Sequence, residues 1–252
     1  MITGRKALVT GAGNGLGRAI ARHLSAAGAG LVVLTGRRRD KLEETAASIP
    51  GPTRVETVDT ADPDSVSELV ARLRDERISI LVNNAGIAGP VAPLWEIEPH
   101  AWEEVFAVNV RGIYLMCRAF LPAMIERGEG DIINLASVSG KRPLARRTPY
   151  TASKMAVIGL TTTLAHEVGP LGINVNTLSP GPVDGPRMSR NFRLEAQSLG
   201  ITVEAAEDEF VSRSALRRMV TEDEVGLASV AMLQMPGLCG ADIDLSAGMI
   251  AR

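Results

Sequence analysis

The chain is poor in several things, and each shortage removes a class of function. It has only two cysteines, Cys117 and Cys239, far apart and with no metal-type spacing. A disulfide framework and a cysteine-held metal are therefore not expected, no metal site is read, and a reduced, cytoplasmic setting is the default. Aromatic residues make up 3% of the chain, too few for a stacked aromatic cage around a ligand. Charge of one sign is also lacking: 27 basic against 29 acidic residues leave −2, so no strong field favours nucleic acid or an acidic membrane surface. No uninterrupted apolar run reaches the ~18 residues of a membrane span. The first residues, Met1-Ile-Thr-Gly-Arg-Lys6, lead into a strand-like segment without the apolar stretch of a signal peptide.

What is present alternates. Buried-strand patterns fall at 6–10, 31–34, 54–58, 78–82, 131–135, 173–178 and 243–245. Helical patterns lie between them at 15–27, 41–49, from Asp62-Pro63 onward, 99–127 (bent before Pro122), 148–168 and 221–235. Short connections between alternating strands and helices predict a doubly wound parallel α/β sheet of about seven strands, covered by helices on both faces. No composition break divides residues 1–252, so a single Rossmann-like domain is expected. Its one long irregular stretch, 180–214, is read as a loop region covering a substrate.

The turn after the first strand reads Thr10-Gly-Ala-Gly-Asn-Gly-Leu-Gly17. Glycines here let a diphosphate approach the backbone at a helix N-terminus, where amide donors and the helix dipole favour an anion. The second strand ends in Thr35-Gly36-Arg37-Arg38, without the acid that would bind the 2′-hydroxyl of NAD. A guanidinium there suits a 2′-phosphate, so NADP(H) is favoured over NAD(H), the alternative being a solvated basic loop. Tyr150 and Lys154 stand at i and i+4 on a predicted helix, one turn apart on one face. A tyrosine near a cation is a usable proton donor and acceptor, because the cation stabilises the phenolate. Ser137 lies just past the fifth strand, at the end of the sheet where ligands bind, with Ser139 as a rival two residues on.

These motifs, in this order, resemble those of the classical short-chain dehydrogenase/reductase family over essentially the whole chain. The family's Thr-Gly-x-x-x-Gly-x-Gly corresponds to Thr10–Gly17, its Asn-Asn-Ala-Gly to Asn83–Gly86, its Tyr-x-x-x-Lys to Tyr150–Lys154 and its Pro-Gly to Pro180-Gly181. Its serine precedes the tyrosine by thirteen residues, which selects Ser137, and its asparagine corresponds to Asn109. The resemblance implies an NADP(H)-dependent oxidoreductase acting on a ketone or secondary alcohol. Tyr150 would be general acid/base, Lys154 would assist it and hold the nicotinamide ribose, Ser137 would orient substrate, and Asn109 would hold a relaying water. It also implies a cofactor wall of Gly11, Asn14, Gly15, Leu16, Gly17, Arg37, Arg38, Asp59, Thr60, Asn83, Ala85, Gly86, Pro180, Gly181 and Val183, together with Tyr150 and Lys154.

Two departures stand out. Gly185 occupies the place of a threonine that often clamps the carboxamide, and Ser246-Ala-Gly248 stands where Gly-Gly is usual. Arginines of 180–214, chiefly Arg187 and Arg190, and those of the loop before Tyr150 suit a substrate with an anionic tail, or else are solvated charge. The alternatives to an NADP(H) enzyme are an NAD-dependent alcohol dehydrogenase of the same family and a non-catalytic nucleotide sensor. The resemblance further implies a homotetramer or homodimer built through the two long helices.

Overall fold

The computed structural model describes residues 2–250; for residues 186, 187, 191, 194, 195 and 198 it describes the backbone and not the side chain. The fold begins with β1 (Lys6–Thr10), α1 (Gly15–Ala26), β2 (Leu31–Gly36), α2 (Arg39–Ala47), β3 (Thr53–Thr57), α3 (Pro63–Arg72), β4 (Ile78–Asn83) and α4 (Pro99–Phe106). After them come α5 (Gly112–Arg127), β5 (Gly130–Leu135), α6 (Thr148–Val168), β6 (Ile173–Pro180), α7 (Pro186–Leu199), α8 (Val203–Val211), α9 (Glu222–Leu233) and β7 (Asp242–Leu245).

These seven strands join one parallel sheet in the order β3-β2-β1-β4-β5-β6-β7. The order reverses between β1 and β4, so the strand ends there open a crevice at the carboxyl edge of the sheet. The pleat explains the two covered faces. Ala7, Val9, Val32, Leu34, Ile80 and Val82 pack into one apolar cluster with Ile20 and Leu24 of α1 and Val225 of α9. The residues between them, Leu8, Val33 and Leu81, pack into a second with Leu69 of α3, Met116 of α5 and Val157 of α6.

The helix expected over 99–127 is continuous. Residues 107–111 form a π turn between α4 and α5, while Pro122 sits inside α5. By length and composition this helix would suffice to cross a membrane. In this fold Ile113, Met116, Phe120 and Met124 of it are buried against the sheet.

The stretch 180–214 is not an irregular loop. It extends β6 to Pro180 and then forms α7 and α8. Their polar sequences hide a short apolar stripe: Met188 and Phe192 pack with Met219, Val203 and Phe210 in a third cluster, with the Phe192 and Phe210 rings edge to face 5.4 Å apart. That stripe stabilises helices against each other rather than against the sheet, so the chain-wide alternation did not reveal it.

Candidate active site

The glycine turn is built by close approach. Gly11 has φ +66°, and a Cβ on Gly17 would lie 2.2 Å from the Gly11 carbonyl oxygen. Gly17 therefore seats α1 on the turn. Thr10 Oγ1 accepts from the Asn84 and Ala85 amides at 2.9 and 3.0 Å, and Asn84 Nδ2 donates back to Thr10 O at 2.9 Å. Asn84, which motif reading passed over in favour of Asn83, is the residue that laces the β4 end to the turn.

A cleft of about 450 Å³ opens beside it. Of the expected cofactor wall it is lined by Gly11, Asn14, Arg37, Arg38, Asp59, Thr60, Ala85 and Gly86. Gly13, Lys41, Ile87 and Val108 line it as well, though the motifs did not single them out. Gly15, Leu16, Gly17, Pro180, Gly181 and Val183 do not line this cleft. Arg37 and Arg38 are exposed and have no hydrogen-bond or ion-pair partner among the described residues, whereas Lys41 pairs with Glu44. Asp59 accepts from the Ala61 amide at 3.0 Å, which fixes its carboxylate at the cleft wall.

Asn83, expected in the cofactor wall, is not among the residues that line this cleft. Its side chain is buried, donating to Asn134 Oδ1 at 2.8 Å and to Cys117 Sγ at 3.4 Å. As the last residue of β4 it follows the pleat into the sheet, while Asn84 escapes past the strand end. Burial pushes the Cys117 thiol up to about 12, against the small opposing effect of the Asn83 hydrogen bond, so it is chemically quiet. Gly181 owes its identity to packing: a Cβ there would lie 2.9 Å from Ser246 Cα.

At the inner end of the cleft four expected residues converge. A Cβ on Gly86 would lie 3.1 Å from Asn109 Oδ1 and 3.6 Å from Lys154 Nζ, so this glycine of the cleft lining stands directly against both groups. Lys154 is buried, donates to Leu135 O at 2.7 Å, and holds Nζ 5.8 Å from the centre of the Tyr150 ring. Asn109, in the π turn, accepts from Ile87 N at 2.8 Å and donates to Ile87 O at 2.9 Å and to Ser153 Oγ at 3.0 Å. Ser153 Oγ in turn donates to Tyr150 O at 2.7 Å. Widened turns of this kind recur at functional sites, and nothing in the local sequence announces this one.

Ser137 caps the short 3-10 turn 138–140. Its Oγ accepts from Ser139 N at 3.1 Å and lies 3.5 Å from Pro180 O. Gly140 brings that turn against α6, since a Cβ on it would lie 3.0 Å from the Lys154 carbonyl carbon. Beyond Pro182, Val220 donates its amide to Pro182 O and accepts from Asp184 N, so Val183 is bracketed while its own amide stays unpaired among the described residues. Arg190 is exposed on α7, and the Arg187 side chain lies outside the described residues.

A family model described as short chain dehydrogenase matches residues 5–197. A D-beta-hydroxybutyrate dehydrogenase of Cupriavidus necator is 33% identical, the match covering 91% of each chain. An NAD+-bound xylitol dehydrogenase superposes with a TM-score of 0.91 at 28% identity, covering 98% of this chain and 99% of that one. A variant of the actinorhodin polyketide ketoreductase with NADPH superposes with a TM-score of 0.90 at 31% identity, covering 99% of this chain and 98% of that one.

Proposed function

The chain belongs to the short-chain dehydrogenase/reductase family, and from that premise we propose that it is an NADP(H)-dependent oxidoreductase interconverting a ketone and a secondary alcohol, with Tyr150 as its general acid/base. The observation that carries the reading is the convergence of Lys154, Tyr150 and Asn109 beside Gly86 of the cleft lining.

The residues present fit a nicotinamide dinucleotide. Gly11 and Gly15 hold positive φ at the turn before α1, and Gly11, Gly13 and Asn14 of that turn line the cleft together with Asp59 and Thr60. When bound, the cofactor supplies or accepts a hydride at its nicotinamide. Tyr150 gives its phenolic proton to the substrate oxygen in reduction and takes it back in oxidation. Lys154, anchored on Leu135 O, keeps a positive charge near the ring and stabilises the phenolate left behind. Ser137 is held by the Ser139 amide, and its contact to Pro180 O is too long to bind the hydroxyl proton firmly. That proton is free to turn to the substrate oxygen. Asn109 commits both amide donors and one acceptor site to Ile87 and Ser153, so it positions α6, and one acceptor site remains for a relaying water. Val183's amide is suited to the carboxamide in place of the side chain that Gly185 lacks.

The related solved structures hold NAD+ in one case and NADPH in another. What supports NADP(H) here is the pair of guanidiniums at the cleft edge, Arg37 and Arg38, unpartnered among the described residues, with no acid at the end of β2. An assembly through the long helices is supported by Tyr114 and Met155, large side chains left exposed on α5 and α6.

The test is oxidation of NADPH and NADH against a panel of ketones and keto acids, run beside Tyr150→Phe. Turnover falling by about 10²–10⁴-fold in the variant, with cofactor binding retained, supports the reading. Turnover that survives the substitution overturns the role of Tyr150. Tight cofactor binding without turnover of any ketone or alcohol, with either cofactor, favours the nucleotide sensor.

A further inference from the structure

One enclosed ion cluster takes no part in the chemistry described above. It ties the turn that begins at Ser137 to the last strand of the sheet. Lys141 ends that turn, and its side chain is only 5% exposed. Its Nζ donates to Asp242 Oδ2 at 2.7 Å and also to Asp244. Both acids come from β7, where the pleat puts Ile243 and Leu245 on the other face, against the apolar cluster of α1 and α9. Asp242 makes a second bond. Its Oδ1 accepts from Ser179 Oγ at 2.6 Å, and Ser179 adjoins Pro180, the last residue of β6.

The turn itself is short and bonded throughout. Ser139 N donates to Ser137 Oγ at 3.1 Å, Gly140 N to Ser137 O at 2.9 Å and Lys141 N to Val138 O at 3.0 Å. Its start is fixed to β6, because Ala136 N donates to Leu178 O at 2.9 Å. Its end is fixed by Lys141, whose ammonium reaches β7 and, through Asp242, Ser179. Ser137 stands in the chain between these two fixed points, with its Oγ 3.5 Å from Pro180 O. A lysine so enclosed gives up its hydration, and an ion pair in that setting adds little net stability. What it does fix is position. Lys141 and Asp242 are 101 residues apart in the chain, and their bond holds the turn in register with the ends of β6 and β7.

We propose that Lys141 is a positioning residue for the reaction: through Asp242 and Asp244 it sets the distance of the Ser137 hydroxyl from Pro180 O, and so keeps that hydroxyl available to the substrate oxygen. The inference rests on the oxidoreductase reading and adds to its site a group that acts through Ser137. A hydroxyl brought closer to Pro180 O would commit its proton there. A hydroxyl displaced by about 1 Å would stabilise the charge developing on the substrate oxygen poorly. The side chains of the Ser137 turn and of β7 meet only in the folded sheet, so no motif spacing announces the pair.

The experiment is a double-mutant cycle of Lys141→Met and Ser137→Ala, assayed with NADPH and the best ketone of the panel above, beside hydrogen exchange across 136–142. Lys141→Met alone is expected to lower kcat/KM by about 10- to 100-fold, with NADPH affinity unchanged in fluorescence titration. In the Ser137→Ala protein the same change is expected to cost no more than about twofold, because the group it positions is gone. Exchange at 137–141 is expected to speed up while β1 to β4 keep their protection. Lys141→Met leaves two carboxylates facing each other, so the cycle is repeated with Asp242→Asn and Asp244→Asn added to it. With that repulsion removed, a role confined to neutralising charge predicts recovered turnover, whereas the anchor predicts that the loss persists. No loss of turnover, equal losses with and without the Ser137 hydroxyl, or a loss of NADPH binding as large as that of turnover would overturn the proposal. So would recovery in the neutralised variant, or unchanged exchange at 137–141. Faster exchange at that turn, while the unmutated protein turns over no ketone or alcohol with either cofactor, would leave the anchor standing and sink the oxidoreductase reading instead.

Discussion

Individual side chains divide the cleft into an end that recognises and an end that reacts. Arg37 and Arg38 illustrate the first. Both are solvent-exposed and unpaired among the described residues, so neither contributes to folding through a fixed contact, and a 2′-phosphate would find them without breaking an existing bond. Arg37→Ala is therefore expected to weaken NADPH binding by about 10- to 100-fold and to leave NADH binding nearly unchanged, as read by fluorescence titration. Equal losses for the two cofactors would remove the basis for preferring NADP(H). Asn83 illustrates the converse. Its motif position suggested a place in the cofactor wall, but its amide bridges β4 to Asn134 of β5, which is bonded onward to Thr161 of α6. An Asn83→Ala change breaks a buried chain of hydrogen bonds and is expected to cost about 1–3 kcal/mol in urea unfolding.

Elements are joined by caps and by glycines whose roles are distinct. The start of α9 is a capping box: Thr221 Oγ1 accepts from Glu224 N, and Glu224 accepts from Thr221 N while gripping Arg218. The Arg218 hydrogen bond, then the Thr221 amide, lower Glu224 from an ordinary 4.5 to about 2. A carboxylate lowered on folding stabilises the fold fully above its unfolded value, and that contribution is lost as pH falls from about 4.5 toward 2. Since Glu224 is about one-third exposed, solvent screening reduces the effect, and Glu224→Gln is expected to cost about 1 kcal/mol at pH 7. The difference between the two proteins should shrink steadily in unfolding titrations taken from about pH 5 to pH 2. At the turn before α1, Gly17→Ala would press a methyl group against backbone that cannot move aside. Loss of cofactor binding and a cost of about 2 kcal/mol or more are expected.

Among the described residues the apolar side chains form two sheet-facing clusters and a third, smaller one that belongs to α7 and α8. That separation predicts unequal stability. The cover is held by Met188, Phe192, Met219 and their neighbours, and the sheet by strands buried on both faces. Phe192→Ala is expected to speed hydrogen exchange across 186–211 while β1 to β6 keep their protection. Uniform loss of protection would mean that cover and sheet unfold as one unit.

Much of this is legible in the sequence itself. Strand and helix alternation determined the doubly wound sheet, because the pleat and the helical repeat are local periodicities that every residue obeys. The ordered motifs determined the family. The i, i+4 spacing placed Lys154 beside Tyr150, since one helical turn is the same in any fold. Tertiary structure decided the rest. It alone showed that Asn84 laces β4 to the glycine turn, that 180–214 holds the helices α7 and α8, and that a π turn carries Asn109. It alone set Lys141 against Asp242 and Asp244 of β7. Which charges meet across so long a stretch of chain depends on how distant elements pack, and nothing in the spacing of a single segment encodes that.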